Sequence, residues 1–217
     1  MPDRSIGTHP GGQIPVSPNN PCPFLRALVA NGYVGGRDVP LSRLSELIGD
    51  ASGETGSKET WVRIQTWLVA VIANGLGPLR VLKSAISGAV LDELRDGPLD
   101  KHGGGSRILD ADARVHEDEI ARFAGFGKDR KDPAGGIERG LTAKEIDTFM
   151  KANIKRDGDA ARWYYPILMK GEWPVLLKVL GKGEGEERYL SVDEVRTLFV
   201  EKRLPERIVA RLPKPLT

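Results

Sequence analysis

Two prolines separated by a single residue fix where the first helix of this chain begins. In Asn19-Asn20-Pro21-Cys22-Pro23-Phe24-Leu25-Arg26-Ala27-Leu28-Val29-Ala30-Asn31-Gly32-Tyr33, Pro21 biases Asn20 toward extended backbone. Pro23 suits the first helical position, where its missing N–H would have had no partner. Cys22 is therefore the expected N-cap. Leu25, Leu28 and Val29 then recur at helical spacing, and Asn31-Gly32 supplies a stop. The helix is short, and the only cysteine of the chain stands at its mouth.

A thiol in that position faces unpaired backbone N–H groups, those of Phe24 and Leu25, and the positive end of the helix dipole. Both favour thiolate over thiol, and a soft anionic sulfur on a rigid mount suits iron. The competing reading is a small buried hydrophobe, the commoner fate of a lone cysteine.

Size and charge limit the classes open to the chain. At 217 residues it suits one domain, able to bury about 70% of its unfolded surface. Lys plus Arg number 32 against 30 for Asp plus Glu, a formal +2, so no strong field points to nucleic acid or an anionic membrane. The basic tail from Lys202 to Lys214 also carries Glu206 and reads as solvated surface. One cysteine makes no internal disulfide, and the amino terminus lacks the apolar core of a signal peptide, so a cytoplasmic location is expected. The longest strongly apolar run, Trp67 to Ala73, is too short to span a bilayer.

Residues 1–18, rich in Gly, Pro and Ser, read as an extended arm, and residues 19–217 as one helical domain. Helices are expected at Leu41–Ile48, Lys58–Asn74, Pro78–Leu94, around Ile120 and Phe123, from Leu141-Thr142 through Met150, between Trp163 and Leu180, and after Ser191. Thr142 with Glu145 fits a capping box, and Ser191 with Glu194 repeats that spacing. Residues 99–109 are too glycine-rich to be regular, and with the acidic residues that follow they have the composition of a cation site. Residues 125–140 and 182–188 read as charged loops. The pattern is all-α, with at most a short ribbon, and no internal repeat is evident.

Pro21-Cys22-Pro23, with Leu25, Ala27-Leu28, Ala30-Asn31 and Gly32-Tyr33, resembles the signature region of the heme-thiolate peroxidases, the family of chloroperoxidase and unspecific peroxygenase. The resemblance implies a single-domain, all-α, chloroperoxidase-like fold over about residues 19–205. It implies heme b as cofactor, with Cys22 as the proximal iron ligand between Pro21 and Pro23. Hydrogen peroxide would be the oxidant and a small organic molecule the substrate, oxidised or oxygenated, with halide oxidation as a variant.

A second family motif, Glu-His-Asp or Glu-Gly-Asp followed by one residue and Ser, aligns with Asp110-Ala111-Asp112-Ala113-Arg114. Asp110 keeps a carboxylate, Ala111 replaces the histidine, and Arg114 replaces the serine. In the family the Glu and Ser help hold a divalent cation beside a heme propionate. Arg114 brings its own charge to that spot, so the resemblance implies Asp110 and Arg114 near the propionate and argues against a bound divalent cation. The bland alternative for Asp110 and Asp112 is a pair of carboxylates preceding a helix. Gly171-Glu172-Trp173, Leu176-Leu177, Val179-Leu180-Gly181, Tyr189-Leu190-Ser191-Val192, Val195-Arg196 and Phe199 resemble the closing helices of the family.

The family also moves a proton with a distal glutamate paired with histidine or arginine. Glu138 and Glu145 are the candidates, with Arg156 as a charge partner and His116 as a rival, each competing with an ordinary surface role. Phe123, Phe126 and Phe149 either line an apolar approach or belong to the core. Lys101-His102-Gly103, Leu141-Thr142, Lys151-Ala152-Asn153, Glu172-Trp173 and Val195-Arg196 also resemble the caleosins, another heme peroxygenase family, which implies His102 as the rival iron ligand. A standard calcium loop and a proline-rich hairpin are lacking. A non-catalytic member that binds heme or another ligand is the remaining alternative.

Overall fold

The structure, a computed structural model, describes residues 13–54, 56, 88–94, 106–158 and 176–216. Helix α1 spans Pro23–Ala30, with Pro23 at its first position and Cys22 as N-cap in extended backbone. Asn31 ends it, its Nδ2 donating to Ala27 O and Lys202 O at 2.7 Å each. Gly32 then turns the chain at φ +73°, a conformation cheap for glycine. Phe24, Ala27, Leu28 and Val29 pack inward. Ahead of the helix, Ile14 and Val16 lie against the core and Ile14 N–H donates to Ala30 O at 3.1 Å, so this part of the arm wraps the surface. Helix α2, Leu41–Ser52, buries Leu44 and Leu47.

The all-α expectation is wrong. Two small antiparallel sheets accompany the helices, so the molecule is mixed α and β. In the first, β1 (Asp38–Val39) pairs with β2 (Ala89–Val90) in the register Asp38↔Val90. Ala89 and Val90 fit a helical pattern by sequence, yet Gly88 sits at φ +87°, outside right-handed helix, and extended backbone follows. A Cβ at Gly88 would meet Val39 O at 2.3 Å, so glycine is what lets these strands approach. A short 3₁₀ turn, Leu91–Glu93, succeeds β2.

In the second sheet β3 (Lys128–Lys131), β4 (Ile137–Thr142) and β5 (Tyr189–Ser191) lie in that order. Residues 128–140 read as loop because β3 has no apolar alternation at all, while Leu141-Thr142 reads as a helix start and Tyr189-Leu190-Ser191 as part of the closing helices; period-two patterning appears only where one face is buried. Cross-strand bonding replaces it: Lys128 to Lys131 pair in register with Gly140 to Ile137, and Arg139 bridges to Asp129 at 3.1 Å.

Helix α3 (Glu117–Phe126) precedes this sheet, α4 (Ala143–Asp157) follows β4, and α5 (Val192–Val200) follows β5. The two strand-to-helix units are copies of one pattern, which corrects the reading that no repeat exists. Leu141-Thr142-Ala143-Lys144-Glu145-Ile146 corresponds to Leu190-Ser191-Val192-Asp193-Glu194-Val195. Leu141 and Leu190 are direct cross-strand partners, both fully buried. Thr142 N–H donates to Glu145 Oε2 at 2.9 Å in a capping box, and Ser191 Oγ accepts from Glu194 N–H at 3.5 Å. Beneath the sheet pack Ile146, Phe149, Val195 and Leu198, with Phe123 edge-on to Phe149 at 5.3 Å. Phe123 and Phe149 are thus core, and half-buried Phe126 stands edge-on to Phe149 at 5.4 Å. Helix α6 (Glu206–Val209) closes against α2.

The helix expected at 58–74, most of that at 78–94, and residues 163–175 lie outside the described residues, as do His102, Glu172 and Trp173. Among the described residues no helix is long and apolar enough to cross a membrane.

Candidate functional site

Cys22 is half-buried and packs against the hydrophobic core beside Leu25. Its side chain makes no capping hydrogen bond to the first turn of α1, in contrast with the expected approach to Phe24 and Leu25 N–H. Sulfur is a weak acceptor, and the Cys22 N–H is taken instead by Asn20 Oδ1 at 3.2 Å. Asn20 is only 1% exposed, and its Nδ2 is buried without a partner. The buried Arg26, one turn into the helix, donates through Nη1 to Ser17 O at 3.0 Å and Asn20 O at 3.1 Å. These bonds, together with Pro21 and Pro23, hold the cysteine loop to the helix it opens.

Asp110 lies on a different segment. It closes a tight turn between Leu109 and Val115, which form a β-bridge. Its Oδ1 accepts from Arg114 N–H at 2.8 Å, and its Oδ2 meets His116 Nε2 at 3.1 Å. The backbone bond from Arg114, assisted by His116, holds the carboxyl below the usual carboxylate range. Ala113 at φ +61° completes the turn, and the Arg114 side chain is exposed. His116 is the N-cap of α3.

Glu138 and Glu145 come together around the three-stranded sheet. Glu138 Oε1 lies 2.8 Å from Lys182 Nζ and accepts from Tyr189 Oη at 2.7 Å, while its Oε2 accepts from Ser191 Oγ at 2.7 Å. Burial pushes this carboxyl up, but the bonds from Lys182, Tyr189 and Ser191 outweigh it and hold it low. Lys182 also reaches Asp132 at 2.9 Å and Glu194 at 3.6 Å, and these partners raise its ammonium above the ordinary lysine range against the effect of burial. Glu145 is bound to Arg130 at 2.7 Å, and Thr142 N–H and Arg130 overcome its burial to keep it ionised. Glu145 and Glu194 each lie in the first turn of the helix that follows a strand, and the positive charge beside them comes from Arg130, Lys182 and Arg207.

A further cluster joins α3 to α4. Glu119, 9% exposed, accepts two bonds from Arg156 and lies 3.8 Å from Arg122. Arg122 bonds the fully buried Asn153 and stands 5.4 Å from the ring centre of Phe149. Arg107 pairs with Asp157, and its guanidinium is lowered by burial and by Arg156.

No family model matches this chain, and no curated protein matches it.

Three chemical groupings therefore stand apart: a cysteine at a helix mouth, a carboxylate–lysine network on the sheet, and a buried glutamate among arginines. Among the described residues no group of three or more His, Cys, Asp and Glu is arranged to hold a metal ion. Sequence reasoning named Arg156 but missed Glu119, Arg26 and Asn20. The available signal for Glu119 was spacing: it precedes the core residues Ile120 and Phe123 on α3, as Asn153 and Arg156 follow Phe149 and Met150 on α4.

Proposed function

We propose that this chain is a heme-thiolate peroxidase or peroxygenase that uses hydrogen peroxide to oxidise or oxygenate small organic molecules. The observation that supports it is Cys22 at the N-cap of α1, half-buried, with its loop pinned by Asn20 and Arg26 and its sulfur outside the helix's own capping bonds. The residues fit the group. Zinc and iron–sulfur centres draw three or four ligands from the protein, whereas a heme iron needs one sulfur from it. A chain with one cysteine and three histidines suits the second case. Heme b would be held through Cys22, between Pro21 and Pro23. When bound it supplies peroxide activation, favoured by electron donation from a thiolate.

The remaining roles fall to the chain. Cys22, at the amino-terminal end of α1, would supply the sulfur to the iron. Asp110 and the exposed Arg114 offer a charged turn to a cofactor carboxylate, with the guanidinium in place of a divalent cation. Glu138 and Glu145 are engaged by Lys182 and Arg130, which hold them ionised. Glu119, buried against Arg156, would take the place of the family's distal glutamate–arginine pair.

The test is the absorption spectrum of heme-reconstituted protein, ferrous and carbon-monoxide bound, beside Cys22→Ala. A strongly red-shifted Soret band that vanishes in the variant is expected. A histidine-type band unchanged by the variant overturns the proposal and moves the ligand to His102, to be checked with His102→Ala. The engagement of Glu138 and Glu145 favours one second reading, a non-catalytic heme- or ligand-binding protein. Stoichiometric heme uptake without peroxide turnover, in wild type and Glu119→Gln alike, selects it.

A further inference from the structure

Arg122 is the cation of the α3–α4 cluster whose charge is left over. Arg156 gives two bonds to Glu119, and Arg107 pairs with Asp157. Arg122 instead bonds Asn153, a neutral and fully buried amide, and the carboxylate it approaches among the described residues, Glu119 at 3.8 Å, is already held by Arg156. Its guanidinium is nevertheless fixed: Asn153 anchors one nitrogen, and the ring centres of Phe126 and Phe149 each lie 5.4 Å from its central carbon. A rigid, planar fork of N–H donors is the form in which arginine recognises an oxyanion.

The other two guanidiniums converge on the same place from separate segments. Burial lowers Arg107, as do Arg156 and Arg122, while Glu119 opposes them, so all four groups lie within reach of one another's charge. The three arginine side chains are 27–34% exposed, open to a small solute yet less screened than on a free surface. Arg107 is carried there at φ +59°, a conformation unfavourable to any residue with a Cβ, and strain of that kind collects at ligand clamps. A cluster serving only to join α3 to α4 gains nothing from crowding a third like charge against the first two.

We infer that Arg107, Arg122 and Arg156 form a binding site for the oxyanion group, carboxylate or phosphate, of a small ligand, with Arg122 as its rigid centre and half-buried Phe126 as an apolar flank. Either oxyanion takes two parallel N–H bonds from one guanidinium, which is the reason for forks here rather than ammonium groups. Glu119 holds the arginines together and competes with the ligand for them. Anion binding needs no heme and is read in apoprotein, so its failure leaves the Cys22 assignment where it stands.

The experiment titrates the full chain, as apoprotein, with benzoate and with inorganic phosphate in a calorimeter, ionic strength held constant with chloride. Saturable binding is expected; tighter binding of benzoate assigns a carboxylate ligand that uses Phe126, and tighter binding of phosphate assigns a phosphate ligand. Arg122→Gln and Arg107→Gln should each weaken it about tenfold, as for loss of one charge-assisted hydrogen bond. Glu119→Gln should bind more tightly although it is less stable without ligand, because a negative charge beside the anion is removed. A purely structural cluster does not produce that opposition of signs, and it decides the matter if Arg122→Gln misfolds. No saturable binding of either anion, or wild-type affinity in folded Arg107→Gln and Glu119→Gln, overturns the inference.

Discussion

Glu138 Oε1 and Lys182 Nζ lie 2.8 Å apart across the edge of the three-stranded sheet, and each holds further partners from a different segment. Lys182→Met removes a cation that Asp132, Glu138 and Glu194 share, leaving three carboxylates facing one another. The loss expected is about 3 kcal/mol, as for a largely buried charge stripped of its partner. Urea unfolding at neutral pH measures it.

The same pair sets a pH profile. Glu138 is depressed in the folded state, so its contribution is present above the unfolded value of about 4.3 and is lost as pH falls through the folded value. Lys182 is raised, so its contribution is full below its unfolded value of about 10.4 and is lost as pH rises through the folded value. Stability should be flat between these limits and fall at both ends. In Lys182→Met the share of the alkaline fall due to Lys182 should be gone, the share due to Tyr189, raised by burial and by its bond to Glu138, should remain, and the acid fall should be much reduced; unchanged limbs would contradict the assignment.

Gly140→Ala should destabilise by about 1–3 kcal/mol through overpacking. A Cβ there would stand 2.2 Å from the Tyr189 ring, which is fixed from its other end by Glu138. Tyr189→Leu should relieve part of that cost in the double variant. Thermal unfolding of the two singles and the double gives the comparison.

Arg26→Leu should cost about 2 kcal/mol, because the buried Asn20 O loses its donor and the half-buried Ser17 O keeps only the Asn20 N–H. The damage is local to the cysteine loop. Limited proteolysis should therefore cut near residues 17–22 in the variant before any change in circular dichroism.

Glu119 and Arg156 should be coupled by about 1–3 kcal/mol in a double-mutant cycle of Glu119→Gln and Arg156→Gln. Glu119→Gln alone should be the more damaging single change, since it leaves Arg107, Arg122 and Arg156 close together without their shared carboxylate. Additive singles would place the pair in solvent and remove Glu119 from consideration as a proton carrier.

What could be read from the residues depended on range. The start of α1 at Pro23, its stop at Asn31-Gly32, the Thr142–Glu145 box and the Ser191 cap were all visible, because prolines and caps act within one turn of where they stand. The sheets were not visible. Lys128 to Lys131 are charged, and their extended form comes from hydrogen bonds to Gly140 through Ile137, which no local propensity encodes. The duplicated strand-to-helix unit escaped notice since its signal is two short caps and a few apolar positions, made conspicuous only when Leu141 pairs with Leu190.

The candidate site divides the same way. The sequence alone determined that one sulfur would sit at a helix mouth, a consequence of two covalently constrained φ angles. Only the tertiary structure decided which polar groups are buried with partners and which are left over. Burial of Arg26, the joining of Glu119 to Arg156 and the engagement of Glu138 by Lys182 all depend on segments far apart in the chain meeting in a low-dielectric interior, where an unpaired charge or donor is costly. The unpartnered Nδ2 of Asn20 belongs to this second class, on the side chain whose Oδ1 accepts from the N–H of the chain's one cysteine.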